Sequence, residues 1–114
     1  AYYNCINRIG PQYNYDSADG IIYEVSLSAE KGEKVNILSL SDGRPFCLDS
    51  TYTVAMNSYR ASGGGYLLRD GAGIDPSDLP VLERYKDIRS MIGDYIRECG
   101  VYSPSVPDNW KFVR

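Results

Sequence analysis

The sequence predicts an α+β domain, built as a small, mostly antiparallel sheet with one main C-terminal helix packed on it. Three observations carry this. "IIYEVSLS" alternates, with Ile21, Tyr23, Val25 and Leu27 on one face and Glu24, Ser26 and Ser28 on the other, as a half-buried strand does. "SDGRP" holds an Asp-Gly pair that supplies a positive φ for a turn. "RYKDIRSMIGDYIRECG" repeats its apolar residues, Ile88, Ile92, Tyr95, Ile96 and Cys99, at three- and four-residue steps and ends at a C-capping Gly100.

The elements follow in order. Residues 1–20 are polar, aromatic and turn-rich, closing on Gly20. "AEKGE" is a loop, and "KVNILSL" is a second strand that forms a hairpin with the first. Its apolar positions change phase between Ile37 and Leu38, which predicts a bulge or burial on both faces. "TYTVAMNSY" reads as a third strand with Tyr52, Val54 and Met56 on one face. "RASGGGYLLRDGAGIDPSDLP" reads mostly as loop, and its length suggests a functional role or poor order. The helix stripe is expected to pack on the sheet. "PDNWKFVR" alternates Trp110 and Phe112 about Lys111 and predicts a short terminal strand.

Composition narrows the function classes. A chain of 114 residues suits one domain, residues 1–114, with a modest core. The net charge of −3 argues against a nucleic-acid polymer as partner, which calls for a basic patch. There is no run of about 18 apolar residues, so no membrane span is expected. With no histidine, Ser-His-Asp and Cys-His catalysis and His-based metal sites are excluded within this chain. Cys5, Cys47 and Cys99 lack C-x-x-C spacing. They read as three buried thiols in preference to one disulfide and one thiol. Asp70, Asp75 and Asp78 match no Ca²⁺ loop, and turn or cap roles suit Asp78. Asp87 and Asp94 read as solvated charges on the helix. The chain opens "AYYNCINRIG", without a secretory leader pattern, and is expected to continue upstream.

The stretch "NSYRASGGGY" is the strongest candidate site. Three consecutive glycines are costly to order. Exposed N–H groups in such a turn bind anions, yet the P-loop lysine and the G-x-G-x-x-G spacing are missing. On the glycines alone, a tight corner between strand and loop is the simpler reading. Tyr59 changes this. It stands just past Asn57, at a strand mouth beside Gly63, Gly64 and Gly65, where an aromatic ring makes a platform for a planar base. Arg60 either binds an anion or pairs with a surface acid, the commoner fate of a single arginine.

"YTVAMNSYRASGGGYL" strongly resembles the hallmark segment of the C-terminal domain of bacterial 5′-nucleotidases, nearest the 2′,3′-cyclic-nucleotide 2′-phosphodiesterase/3′-nucleotidase branch. "PQYNYDSADGIIYEVSL", "VNILSLSDGRPFCLDSTYTVAMNSY" and "IRSMIGDYIRECGVYSPSVPDNWKF" are similar to other stretches of that domain, in order and spacing. The resemblance implies a nucleoside-recognition domain, with an N-terminal part of it expected before Ala1. In that family a separate metallophosphoesterase domain carries two divalent ions (Mn, Zn or Mg type) and hydrolyses the phosphate ester. No catalytic or metal-ligating residue is therefore assigned to this chain, which alone is expected to be inactive.

The resemblance further implies that Tyr59 stacks on the base, with Asn57, Arg60, Gly63, Gly64 and Gly65 around it. The glycines are expected to clear space beside the ring for the base. Gly65 stands where the 5′-nucleotidase branch has an aspartate that contacts the nucleoside. A second stacking aromatic, from an earlier Pro-Phe-Gly-Asn-like segment, has no counterpart here. The implied partners are a nucleotide or nucleoside and a metallophosphoesterase domain or subunit. The implied location is the periplasm or cell surface. A stand-alone module that binds nucleotides or docks onto a separately encoded metallophosphatase is the alternative.

Overall fold

Alternation builds the first two strands. In the computed structural model, which describes residues 16–114, β1 (Ile21–Ser26) pairs antiparallel with β2 (Val35–Leu40). Ile22 lies opposite Ser39 while Tyr23 lies opposite Ile37, so Leu38 is the extra residue of a bulge. This is where the apolar phase changes in the sequence. Tyr23 and Val25, alternate residues of β1, are buried to 4% and 2% exposure. Beyond β2, the Asp42–Gly43 turn closes with Gly43 at φ +86° and the Leu40 N–H donating to the Arg44 carbonyl at 2.9 Å.

The terminal strand, β3 (Trp110–Val113), adds to the other edge of β1, giving the order β2-β1-β3. Trp110 lies opposite Tyr23, and their rings stack at 5.9 Å between centroids. Asn109 pins this edge. Its side-chain amide donates to the carbonyls of Ala18 and Ile21 at 2.8 and 2.9 Å, and its own carbonyl accepts from Tyr23 N–H at 3.0 Å. The β1–β3 pair is parallel, so the sheet is mixed rather than mostly antiparallel. A parallel neighbour needs a long crossover, and residues 41–109 supply it.

The crossover holds the largest departures from expectation. Residues 51–57 make no ladder, although their alternation reads as a strand. Tyr52 is used locally instead. Its ring stacks on Phe46 at 4.9 Å, and its hydroxyl accepts from the Cys47 N–H at 2.9 Å. The stretch expected to be mostly loop is a string of short turns. They are α1 (Ser58–Ala61), a 3₁₀ turn (Gly64–Tyr66), a wide π-type turn (Leu67–Ala72) and a second 3₁₀ turn (Pro76–Asp78).

The long helix, α2 (Ile88–Cys99), ends at Gly100 as its periodicity predicts, but it starts only after Asp87, so residues 84–87 of the expected stretch lie outside it. Its apolar stripe does not pack on the sheet: Ile88, Met91, Ile92, Tyr95 and Ile96 are 40–66% exposed. Asp94 is more than a solvated charge, since it pairs with Lys86 and Arg97. Cys47 and Cys99 are exposed free thiols rather than buried ones. Cys5 and the turn-rich stretch through residue 15 lie outside the described residues.

Asp87 is exposed, as a solvated charge is, but it stands at the N-cap of α2 rather than within the helix. Its carboxylate accepts from the Ser90 hydroxyl at 2.6 Å and the Ser90 N–H at 2.9 Å. Those bonds, the hydroxyl's first, hold its pKa below the ordinary 3.8. A lowered folded-state pKa stabilises the helix above the ordinary carboxylate range, and that contribution disappears as pH falls through the lowered value. The first turn of α2 is therefore expected to loosen only below about pH 4. The amide shift of Ser90, followed by NMR from pH 6 to 2, should show this step, and Asp87→Ala should remove it.

Candidate functional site

The candidate site is one short stretch, residues 57–66, folded on itself. Asn57 caps α1, its side-chain oxygen accepting from the Arg60 N–H at 2.8 Å. The cap sets the single turn that places Tyr59 and Arg60. Gly63 then reverses the chain at φ +93°, with its N–H donating to the Arg60 carbonyl at 3.0 Å. A β-carbon on Gly63 would lie 2.9 Å from the Pro76 ring. Only glycine allows both that backbone angle and that approach.

Gly64 bears directly on Tyr59. A β-carbon there would fall 2.5 and 2.6 Å from ring atoms Cζ and Cε2 of Tyr59, and 2.6 Å from its carbonyl oxygen. The room the glycine makes is thus filled by the tyrosine ring itself. The expectation that it clears space for a base is corrected on that side, since the ring occupies that space. Tyr59 is 62% exposed, so the rest of its ring is open to solvent. Gly65 continues the turn at φ +69°. Tyr66 follows at φ +60°, a conformation uncommon for a bulky side chain, and is 69% exposed.

Arg60 goes inward. Its side chain is 8% exposed and is paired with Asp16. The pairing is two-pronged, with Nε to Oδ2 at 2.8 Å and Nη2 to Oδ1 at 2.9 Å. Nη1 donates to the Gly64 carbonyl at 3.2 Å. The guanidinium also lies 5.4 Å from the centre of the Tyr59 ring, within cation–π range. Of the two fates open to this arginine in the sequence, the ion pair with an acid is the one formed, and it is buried on the arginine side. Asp16 itself is not apparent as a site residue from sequence. It lies 44 positions away, and its one local signal is its place in "YNYDSADG", just ahead of β1.

Of the acids in the candidate loop, Asp75 serves structure. Asp75 caps the second 3₁₀ turn and pairs with Arg69 at 3.1 Å. Hydrogen bonds from the Ser77 N–H and hydroxyl hold its carboxyl below the ordinary value. Among the described residues, no three His, Cys, Asp or Glu side chains gather as a metal site, and no helix is long and apolar enough to cross a membrane. A cavity of about 460 Å³ lies between Leu40, Arg44, Cys47 and Tyr52 and includes none of residues 57–66.

Comparisons with known proteins give the chain its relatives. The family described as 5′-nucleotidase, C-terminal domain, matches residues 6–68. The trifunctional nucleotide phosphoesterase protein YfkN of Bacillus subtilis is 33% identical over 95% of this chain, which spans 8% of that protein. The 2′,3′-cyclic-nucleotide 2′-phosphodiesterase/3′-nucleotidases of Salmonella typhimurium and Yersinia enterocolitica are 26% and 25% identical over 89% of the chain, which spans 17% of each. No solved structure matches. With the family match covering more than half of the chain and a relative above 30% identity along nearly all of it, the chain belongs to the 5′-nucleotidase C-terminal domain family.

Proposed function

We propose that this domain recognises the nucleoside of a nucleotide or cyclic-nucleotide substrate, while a separate metallophosphoesterase domain or subunit hydrolyses the phosphate ester. The observation that carries the reading is Tyr59. It is an exposed aromatic ring, fixed by Gly64 on one side and by Arg60 beside it, in a domain whose relatives are named for action on nucleotides. The base stacks on the open part of the ring, and Asn57, Gly63, Gly64 and Gly65 hold the turn that presents it.

The described residues do not fit a pair of divalent ions, since no cluster of metal-ligating side chains exists among them. It is the resemblance to nucleotidases that assigns the Mn, Zn or Mg ions to the partner domain, and no hydrolytic step is placed on this chain. The resemblance to nucleotidases favours a periplasmic or cell-surface location.

Replacing Tyr59 by alanine tests the stack. One base–aromatic stack is worth about 1–3 kcal/mol, so Tyr59→Ala is expected to weaken adenosine binding by about 5- to 150-fold. Titration calorimetry with adenosine and cytidine reads this directly, and unchanged affinity would sink the assignment.

The second reading, a non-catalytic module that docks onto a metallophosphatase, is favoured by the exposed stripe of α2. It predicts that charging the stripe, as in Ile92→Glu, abolishes association with a phosphatase subunit and leaves Tyr59-dependent binding untouched.

A further inference from the structure

We infer that the Asp16–Arg60 pair is a positioning device for the Tyr59 platform, and that Arg60 does not serve as a phosphate ligand. The inference rests on the nucleoside-stacking reading above.

Four observations lead to it. The guanidinium is buried and its charge is already matched by the Asp16 carboxylate through two hydrogen bonds. A third donor, Nη1, holds the carbonyl of Gly64, the residue against which the Tyr59 ring packs. The same guanidinium lies over that ring at 5.4 Å. The Arg60 backbone is fixed as well, its N–H by the Asn57 cap and its carbonyl by the Gly63 N–H.

Arg60 thus touches the ring and the backbone behind it, and it anchors both to Asp16, just ahead of β1. The planar fork of arginine makes these contacts at once, whereas a lysine ammonium is a single point charge on a flexible stem. The consequence concerns specificity. A phosphate-binding arginine favours ligands that carry phosphate. A positioning arginine acts on the base stack and so affects nucleoside and nucleotide alike.

Asp16→Asn and Arg60→Lys in the full chain test this. Each keeps a polar partner in place, and Arg60→Lys keeps the charge as well. Adenosine and adenosine monophosphate are titrated well below the unfolding midpoint. The Tyr59 ring resonances, assigned with Tyr59→Phe, are followed by NMR in the unliganded protein. Both variants are expected to weaken the two ligands by the same factor, about 3- to 10-fold, a fraction of the worth of one stack, and to shift or broaden the Tyr59 ring signals.

Loss confined to the monophosphate makes Arg60 a phosphate ligand and overturns the inference. A lowered unfolding midpoint with unchanged ring signals and unchanged adenosine affinity makes the pair merely structural, and also overturns it. If Tyr59→Ala leaves adenosine binding unchanged, it is the stacking reading that fails. The ring signals of the two variants then decide the positioning role by themselves.

Discussion

Asp16→Ala is expected to be among the more destabilising substitutions in the described part of this domain, lowering the free energy of unfolding by about 1–2 kcal/mol, less than breaking a fully buried ion pair from one side costs. The pair is asymmetric: the Arg60 side chain is 8% exposed, while that of Asp16 is 42% exposed. Removing the acid takes the carboxylate partner from a buried guanidinium, whereas removing the arginine leaves a carboxylate that water can reach. Arg60→Leu should therefore cost less than Asp16→Ala, although the larger side chain is lost. The exposed Arg44–Asp42 pair sets the contrast, with both side chains more than half exposed, and Asp42→Ala should change little by way of that ion pair. Urea denaturation of the three variants checks the order. Equal effects at Asp16 and Asp42 would show that burial of Arg60 has no energetic weight.

Gly64→Ala is the second large effect. The added methyl would meet two atoms of the Tyr59 ring and also the Tyr59 carbonyl oxygen at 2.6 Å or closer. The ring can swing away, but the carbonyl moves only if the backbone of α1 shifts. Overpacking of this kind costs about 1–3 kcal/mol. The loss should appear twice, as a lowered denaturation midpoint and as nucleoside binding weakened toward the level of Tyr59→Ala. Gly93→Ala is the matched control. Its β-carbon would meet only Arg97 Nη2, at 3.7 Å, within α2. Alanine is the better helix former there by about 1 kcal/mol, so this change should stabilise. A Gly64→Ala protein that kept both stability and binding would refute the account of why glycine stands at that position.

Local rules accounted for much of the fold. Tyr23 and Val25 alternate because a strand turns successive side chains to opposite faces, and the structure buries both. The bulge at Leu38 was visible as a change of apolar phase, and the C-terminal limit of α2 as a stripe ended by Gly100. The parallel sense of β3 was not visible. Alternation about Lys111 makes a strand, but its direction is set by which edge of β1 it reaches and from which side the crossover arrives. Residues 51–57 mislead for a related reason. Their pattern is that of a strand, but a strand exists only with a paired neighbour, and Tyr52 finds a local partner in Phe46.

The candidate site divides the same way. Residue types and order marked Tyr59, Arg60 and the three glycines, because turns and aromatic platforms leave local signatures, and the family resemblance added Asn57 to them. Only the folded chain shows that Arg60 turns inward to Asp16, that Gly64 makes room for the tyrosine ring, and that the stripe of α2 lies exposed. Each of these depends on which distant surface a side chain meets. A contact across 44 residues is settled by the packing of the whole chain, so no single segment of the sequence carries its signature.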